Sequence, residues 1–182
     1  MLAHRRAVNF AGFAACVALL GYAYYAQYAL HLEPCPLCMF QRITVLLLAL
    51  VFLAAALHHP RAWGAYVYAA LIGAAALATI GVSARHLYIQ SLPPGSIPSC
   101  GAPLETLMQM FPVTQVIRKV LAAGGECAVV NWRFLGLAMP GWVLVCAALL
   151  GAAGVAGNVL GRGQPSRGPW VVRGRAAGKP LK

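Results

Sequence analysis

The sequence predicts an all-α integral membrane protein: a bundle of four transmembrane helices with one long exported loop. Three observations carry that prediction. Of 182 residues, 61% are hydrophobic and 9% are charged, which is too apolar for an ordinary water-soluble domain. Four segments each offer the roughly 17–25 mostly apolar residues that a bilayer crossing demands. The basic residues divide unequally between the two sides that such spans define.

The spans are expected at about residues 7–30, 39–57, 62–85 and 140–160, within one membrane domain covering 1–182. The first run is as long as a full span and is read as one, not as a cleavable signal peptide. An even number of spans places both termini together. Nine basic residues and no acid fall on that side: Arg5, Arg6, Arg61, Arg162, Arg167, Arg173, Arg175, Lys179 and Lys182. The opposite side carries Arg42, Arg85, Arg118, Lys119 and Arg133 against Glu33, Glu105 and Glu126. Excess Lys and Arg mark the cytoplasmic face, so both termini are expected in the cytoplasm. The loops at about 31–38 and 86–139 are then exported, into the periplasm of a bacterium, where disulfides persist. The tail at 161–182, rich in Gly, Pro and Arg, is read as a disordered segment against anionic headgroups. The net charge of +11 does not point to nucleic acid, because the charges are sorted by membrane side and no recognition motif accompanies them.

Within the long loop, 104–121 mixes apolar residues (Leu107, Met110, Val113, Val116, Ile117) with polar ones (Gln109, Gln115, Arg118), and Pro112 is expected to break it. The pattern fits a short helix on the membrane surface, or equally one packed on the spans.

Cys35-Pro36-Leu37-Cys38 stands between the first two spans. Pro34 and Pro36 disfavour helix before Cys38, so the second helix is expected to begin near Cys38. A thiol at a helix N-terminus faces unpaired N–H groups and the positive end of the dipole, which favour thiolate. Arg42 lies one turn on and shares a helix face with Cys38. Two readings of Arg42 stand: snorkelling to headgroups, or support of negative charge beside Cys38, and its spacing favours the second. The pair itself fits a structural disulfide, half of a zinc site or a redox centre. With no second C-x-x-C and no closely spaced His pair on that side, no metal is expected.

Cys100 and Cys127, separated by 26 residues, lie in the long loop. Closing that loop as a staple is worth roughly 3 kcal/mol. Gly101, Gly124 and Gly125 beside them suggest exposed, flexible settings open to an incoming thiolate, and the reactive reading is preferred. Two cysteine pairs beside a bilayer point to electrons passing between a soluble protein and an acceptor dissolved in lipid. Cys16 and Cys146 fall inside spans as small apolar packing residues.

The run Glu33-Pro34-Cys35-Pro36-Leu37-Cys38-Met39-Phe40-Gln41-Arg42 resembles the first exported loop of the DsbB family, disulfide bond formation protein B. Arg85-His86 is similar to that family too, as are Gly125-Glu126-Cys127 and the run from Trp132-Arg133-Phe134-Leu135-Gly136 to Met139-Pro140-Gly141-Trp142. The resemblance covers nearly the whole chain. It implies an inner-membrane oxidoreductase that reoxidises the periplasmic dithiol oxidase DsbA and reduces ubiquinone or menaquinone. It implies the disulfides Cys35–Cys38 and Cys100–Cys127, with a transient Cys35–Cys127 link that frees Cys38 to donate to the quinone. Arg42 and His86 would sit at the quinone, although His86 equally suits a polar cap on the third helix. Gln41 stands where the family often has an acid, and Arg133 is basic where the family can be acidic.

Two other readings are carried. A vitamin K epoxide reductase-like protein also couples exported cysteines to quinone through four helices, but its quinone-facing C-x-x-C follows the loop cysteines, whereas here it precedes them. A membrane scaffold with static disulfides is the non-enzymatic alternative.

Overall fold

The fold is described from a computed structural model, over residues 2–58, 63–93, 104–122, 125–128, 130 and 132–160. Cys100 and the tail at 161–182 lie outside the described residues, as do Ile97-Pro98-Ser99 and Gly124.

Four long helices form the bundle: α1 (Leu2–Tyr28), α2 (Pro36–His58), α3 (Trp63–Ser91) and α6 (Met139–Leu160). Each is long and apolar enough to cross a membrane. The helices close a ring in which α1 packs on α2, α2 on α3, α3 on α6 and α6 on α1. Large apolar side chains such as Leu46, Leu47, Leu50, Leu77 and Leu149 point outward, while the interior is filled largely by Ala and Gly around Phe52. That inversion suits a hydrocarbon solvent, in which close backbone approach replaces the hydrophobic effect between helices. The protein is a multi-pass membrane protein of four helices.

Phe52 is fully buried and wedged between two glycines. A Cβ added at Gly12 of α1 or at Gly154 of α6 would lie 2.7 Å from its ring. Gly151 likewise lets α6 approach Ala76 of α3. Near the chain-terminal end of the bundle, Asn9 of α1 and Asn158 of α6 are buried and exchange side-chain amide bonds of 3.2 and 2.9 Å. Asn158 also donates to the Gly154 carbonyl at 2.8 Å.

At the other end, α1 stops in a left-handed turn. Leu32 N–H bonds the Ala26 carbonyl at 3.2 Å, and His31 takes φ 52°. This closure, from a residue six positions on, satisfies an orphan carbonyl and turns the chain toward Cys35. α3 continues to Ser91, past the end expected near residue 85, because His86 and Ile89 pack inward and keep the helical register. The following segment carries two short helices, α4 (Leu104–Met110) and α5 (Val113–Ala122), separated at Phe111-Pro112. Pro112 ends the first as expected, and its carbonyl opens the second by accepting from Val116 N–H. Leu107 and Val116 are buried against Leu37 and Ile89, while Met108, Met110, Val113 and Ile117 stay exposed. Packing on the spans and an apolar outer face are therefore both present. A 3₁₀ turn at Gly125–Ala128 follows.

A two-residue hairpin joins β1 (Arg133–Phe134) to β2 (Leu137–Ala138), with Phe134 opposite Leu137. Leu135 and Gly136 both take positive φ, 49° and 82°, as a primed hairpin turn requires. Trp142 Nε1 donates to the Phe134 carbonyl at 3.0 Å and fastens the hairpin to α6.

Replacing Gly154 by Ala is expected to destabilise the bundle by about 1–3 kcal/mol, because Phe52 is held by Gly12 as well and has no room to yield. Gly73→Ala, whose added carbon meets only ordinary contact at 3.6 Å, is the control. Denaturant unfolding in detergent reads both.

Candidate functional site

Pro36 occupies the first position of α2, where a missing N–H costs nothing and the fixed φ suits helix entry. The helix thus starts two residues before the expected point, and Cys35 is its N-cap. The Cys35 sulfur accepts from Cys38 N–H at 3.3 Å, and the Cys35 carbonyl accepts from Met39 N–H at 3.2 Å. That is the work an N-cap oxygen ordinarily does, here done by sulfur. The same turn brings the two sulfurs to 2.7 Å.

Around them the bundle end supplies two further groups. His86 of α3 places Nε2 3.7 Å from Cys35 Sγ, with the Gln90 side-chain nitrogen 3.4 Å from the same Nε2. His86 is buried within the helix at 2% exposure, so it is no helix cap. Cys127 comes from the 3₁₀ turn, and the sulfurs of Cys35 and Cys127 and a His86 ring nitrogen all lie within 4.8 Å of one another. Cys127 is 2% exposed and packs with Leu37, Ile89, Leu107 and Val116. The expected exposed setting is corrected on this side of the pair, because Cys127 is buried among these four side chains. Its expected partner Cys100 lies outside the described residues.

The Cys35 thiol is pushed well above the ordinary cysteine range, first by its hydrogen bond with Cys127, then by that with Cys38 and by burial. When the cluster is reduced, Cys35 keeps its proton at neutral pH and donates it to a neighbouring sulfur.

Arg42 is half-buried and turns back onto α1. Nη2 donates to the Ala23 carbonyl at 3.0 Å, Nη1 donates to Gln27 Oε1, and Met39 Sδ lies 3.9 Å from Nη1. The guanidinium carbon stands 4.9 Å from the centre of the Tyr24 ring. Gln41, the neighbour of Arg42, faces the other way and donates to Ser83 of α3 at 2.8 Å, buried. Gln27, Tyr24 and Ser83 were not singled out from the sequence. The available signal was a lone amide, Gln27, in the last turns of an apolar span. Cys16 is fully buried in the core and Cys146 half-buried, apart from this cluster.

The fold and the cysteine cluster together define a multi-pass membrane thiol protein. A family model described as "Disulfide bond formation protein DsbB" matches residues 5–157. The chain belongs to that family. It is 50% identical over 141 residues to the disulfide bond formation protein B of Methylococcus capsulatus, a match covering 78% of this chain and 86% of the relative. It is 47% identical over 146 residues to that of Nitrosococcus oceani, covering 80% and 86%. With that of Hahella chejuensis it shares 50% identity over 145 residues, covering 77% and 85%.

In a Cys38→Ser variant, Cys35 is expected to resist iodoacetamide at pH 7 and to alkylate only as pH rises well beyond the range of a free thiol. Mass spectrometry of the labelled protein checks this. Ordinary labelling at pH 7 contradicts the hydrogen-bonding described.

Proposed function

We propose that the chain is an inner-membrane oxidoreductase that reoxidises a periplasmic DsbA-like dithiol oxidase and passes the electrons to a membrane quinone, ubiquinone or menaquinone. The observation that carries this reading is the place of Cys35, between Cys38 on one side and Cys127 on the other. A sulfur so placed can exchange bonds with either neighbour, which a static staple does not require. Membership of a disulfide bond formation family supports the same chemistry.

The thiol steps follow from exchange chemistry. A thiolate of the reduced partner attacks Cys100 Sγ; a bond forms between the proteins, and Cys127 leaves as thiolate. The partner's second thiolate then displaces Cys100, and the partner departs as a disulfide. Cys127 attacks Cys35, the Cys35–Cys38 bond breaks, and Cys38 leaves as thiolate carrying the electron pair. The Cys100 thiolate then attacks Cys127, the Cys35–Cys127 bond breaks and Cys35 is released, so that Cys100–Cys127 is restored. The reduced Cys35/Cys38 pair then holds the two electrons and two protons that the partner lost.

A bound quinone supplies a two-electron, two-proton acceptor dissolved in the bilayer. The donor set fits such a group. Nε and the second Nη2 hydrogen of Arg42 have no hydrogen-bond partner among the described residues, and its charge favours a developing oxyanion. Arg42 and His86 are the residues that would hold it. The excess of Lys and Arg toward the termini supports cytoplasmic termini and periplasmic cysteines.

The test is anaerobic. Reduced dithiol partner is added to purified protein with quinone, and quinol is followed spectroscopically. Cys38→Ser is expected to abolish quinol formation while leaving the partner able to engage Cys100. Unchanged turnover refutes the assignment. Cys16→Ala and Cys146→Ala are expected to keep activity within about twofold, since small apolar replacements fit both sites.

A further inference from the structure

The direction in which Arg42 points is set by α1. Ala23 and Gln27 lie four residues apart on one helix face, with Tyr24 beside them. From that face come a main-chain acceptor at 3.0 Å for Nη2, a side-chain acceptor for Nη1, and a ring against the guanidinium. A guanidinium at membrane depth seeks such acceptors, because unsatisfied N–H groups are costly there. The planar fork lets two fixed acceptors determine where the remaining hydrogens point. Of the three contacts, the Gln27 amide is the side-chain hydrogen-bond acceptor, and replacing it leaves the helix backbone intact.

We propose that Gln27 is a positioning residue for Arg42: it turns the guanidinium so that the unengaged N–H groups face the lipid-borne acceptor beside Cys38. The proposal rests on the reading of Arg42 as part of the acceptor site. Gln27 itself touches neither the reacting sulfurs nor, in this account, the acceptor. It works only through Arg42.

Two replacements separate positioning from packing. Gln27→Met keeps length and apolar bulk but lacks the acceptor, and Gln27→Ala removes both. Each is expected to raise the KM for a soluble ubiquinone analogue about fivefold to tenfold, the scale of one ordinary hydrogen bond, while kcat changes less than about threefold. Reduction of the oxidised protein by dithiothreitol without quinone, followed by alkylation and mass spectrometry, is expected to proceed at the parent rate. In an Arg42→Ala background, Gln27→Met is expected to add no further rise in KM.

The outcomes are distinct. An unchanged KM in Gln27→Met, with a raised KM in Arg42→Ala, overturns the positioning role and leaves the proposed function standing. An equal rise with and without Arg42, or slowed reduction by dithiothreitol, overturns it in favour of packing. An unchanged KM in Arg42→Ala itself removes Arg42 from the acceptor site, and this proposal falls with it.

Discussion

One sulfur atom holds this site together. Cys35 Sγ accepts the Cys38 N–H and so caps α2; it lies 2.7 Å from the Cys38 sulfur and 3.7 Å from His86 Nε2, and it packs with Cys127. Helix entry and thiol chemistry therefore meet at one atom. Pro36 makes this workable: with no N–H of its own, the first helical residue leaves one fewer donor for the cap to satisfy.

The packing explains why the chemistry is confined to one end of the bundle. Toward the chain termini, Phe52 and the glycines of α1 and α6 allow close helix contact, and the amide pair of Asn9 and Asn158 is buried between the same two helices. At the other end, the overhang of α3 and the two short helices build a separate apolar cluster around Leu37 and Ile89. Cys35, Cys127 and His86 sit in its wall. Cys127 is buried in this cluster with Leu107 of α4 and Val116 of α5, while Cys35 and Cys38 stay partly exposed.

Hydropathy made the four helices legible, because a bilayer imposes run lengths that few other structures share. The cysteine pair and Arg42 were legible from spacing. What was missed depends on contacts distant in sequence. Polar Arg85 and His86 read as the end of a span, yet α3 runs on because Ile89 packs on Leu37. Cys127 read as exposed because glycines precede it, whereas Leu37, Ile89, Leu107 and Val116, from four different helices, bury it. Leu135 gave no turn signal, since a branched residue rarely takes positive φ. Gln27 finds its partner on a different helix, 15 residues away, a distance no local pattern encodes.

The reciprocal amide pair of Asn9 and Asn158 sets more than a local bond. Sliding α1 by one turn along α6 would strand both amides in hydrocarbon, so the pair works as a vernier stop that fixes the height of α1 in the bundle. Gln27 rides on the same rigid rod, 18 residues or about 27 Å further along. A feature at one membrane surface thereby sets, to within a fraction of a helical turn, how high an arginine's partner stands at the other.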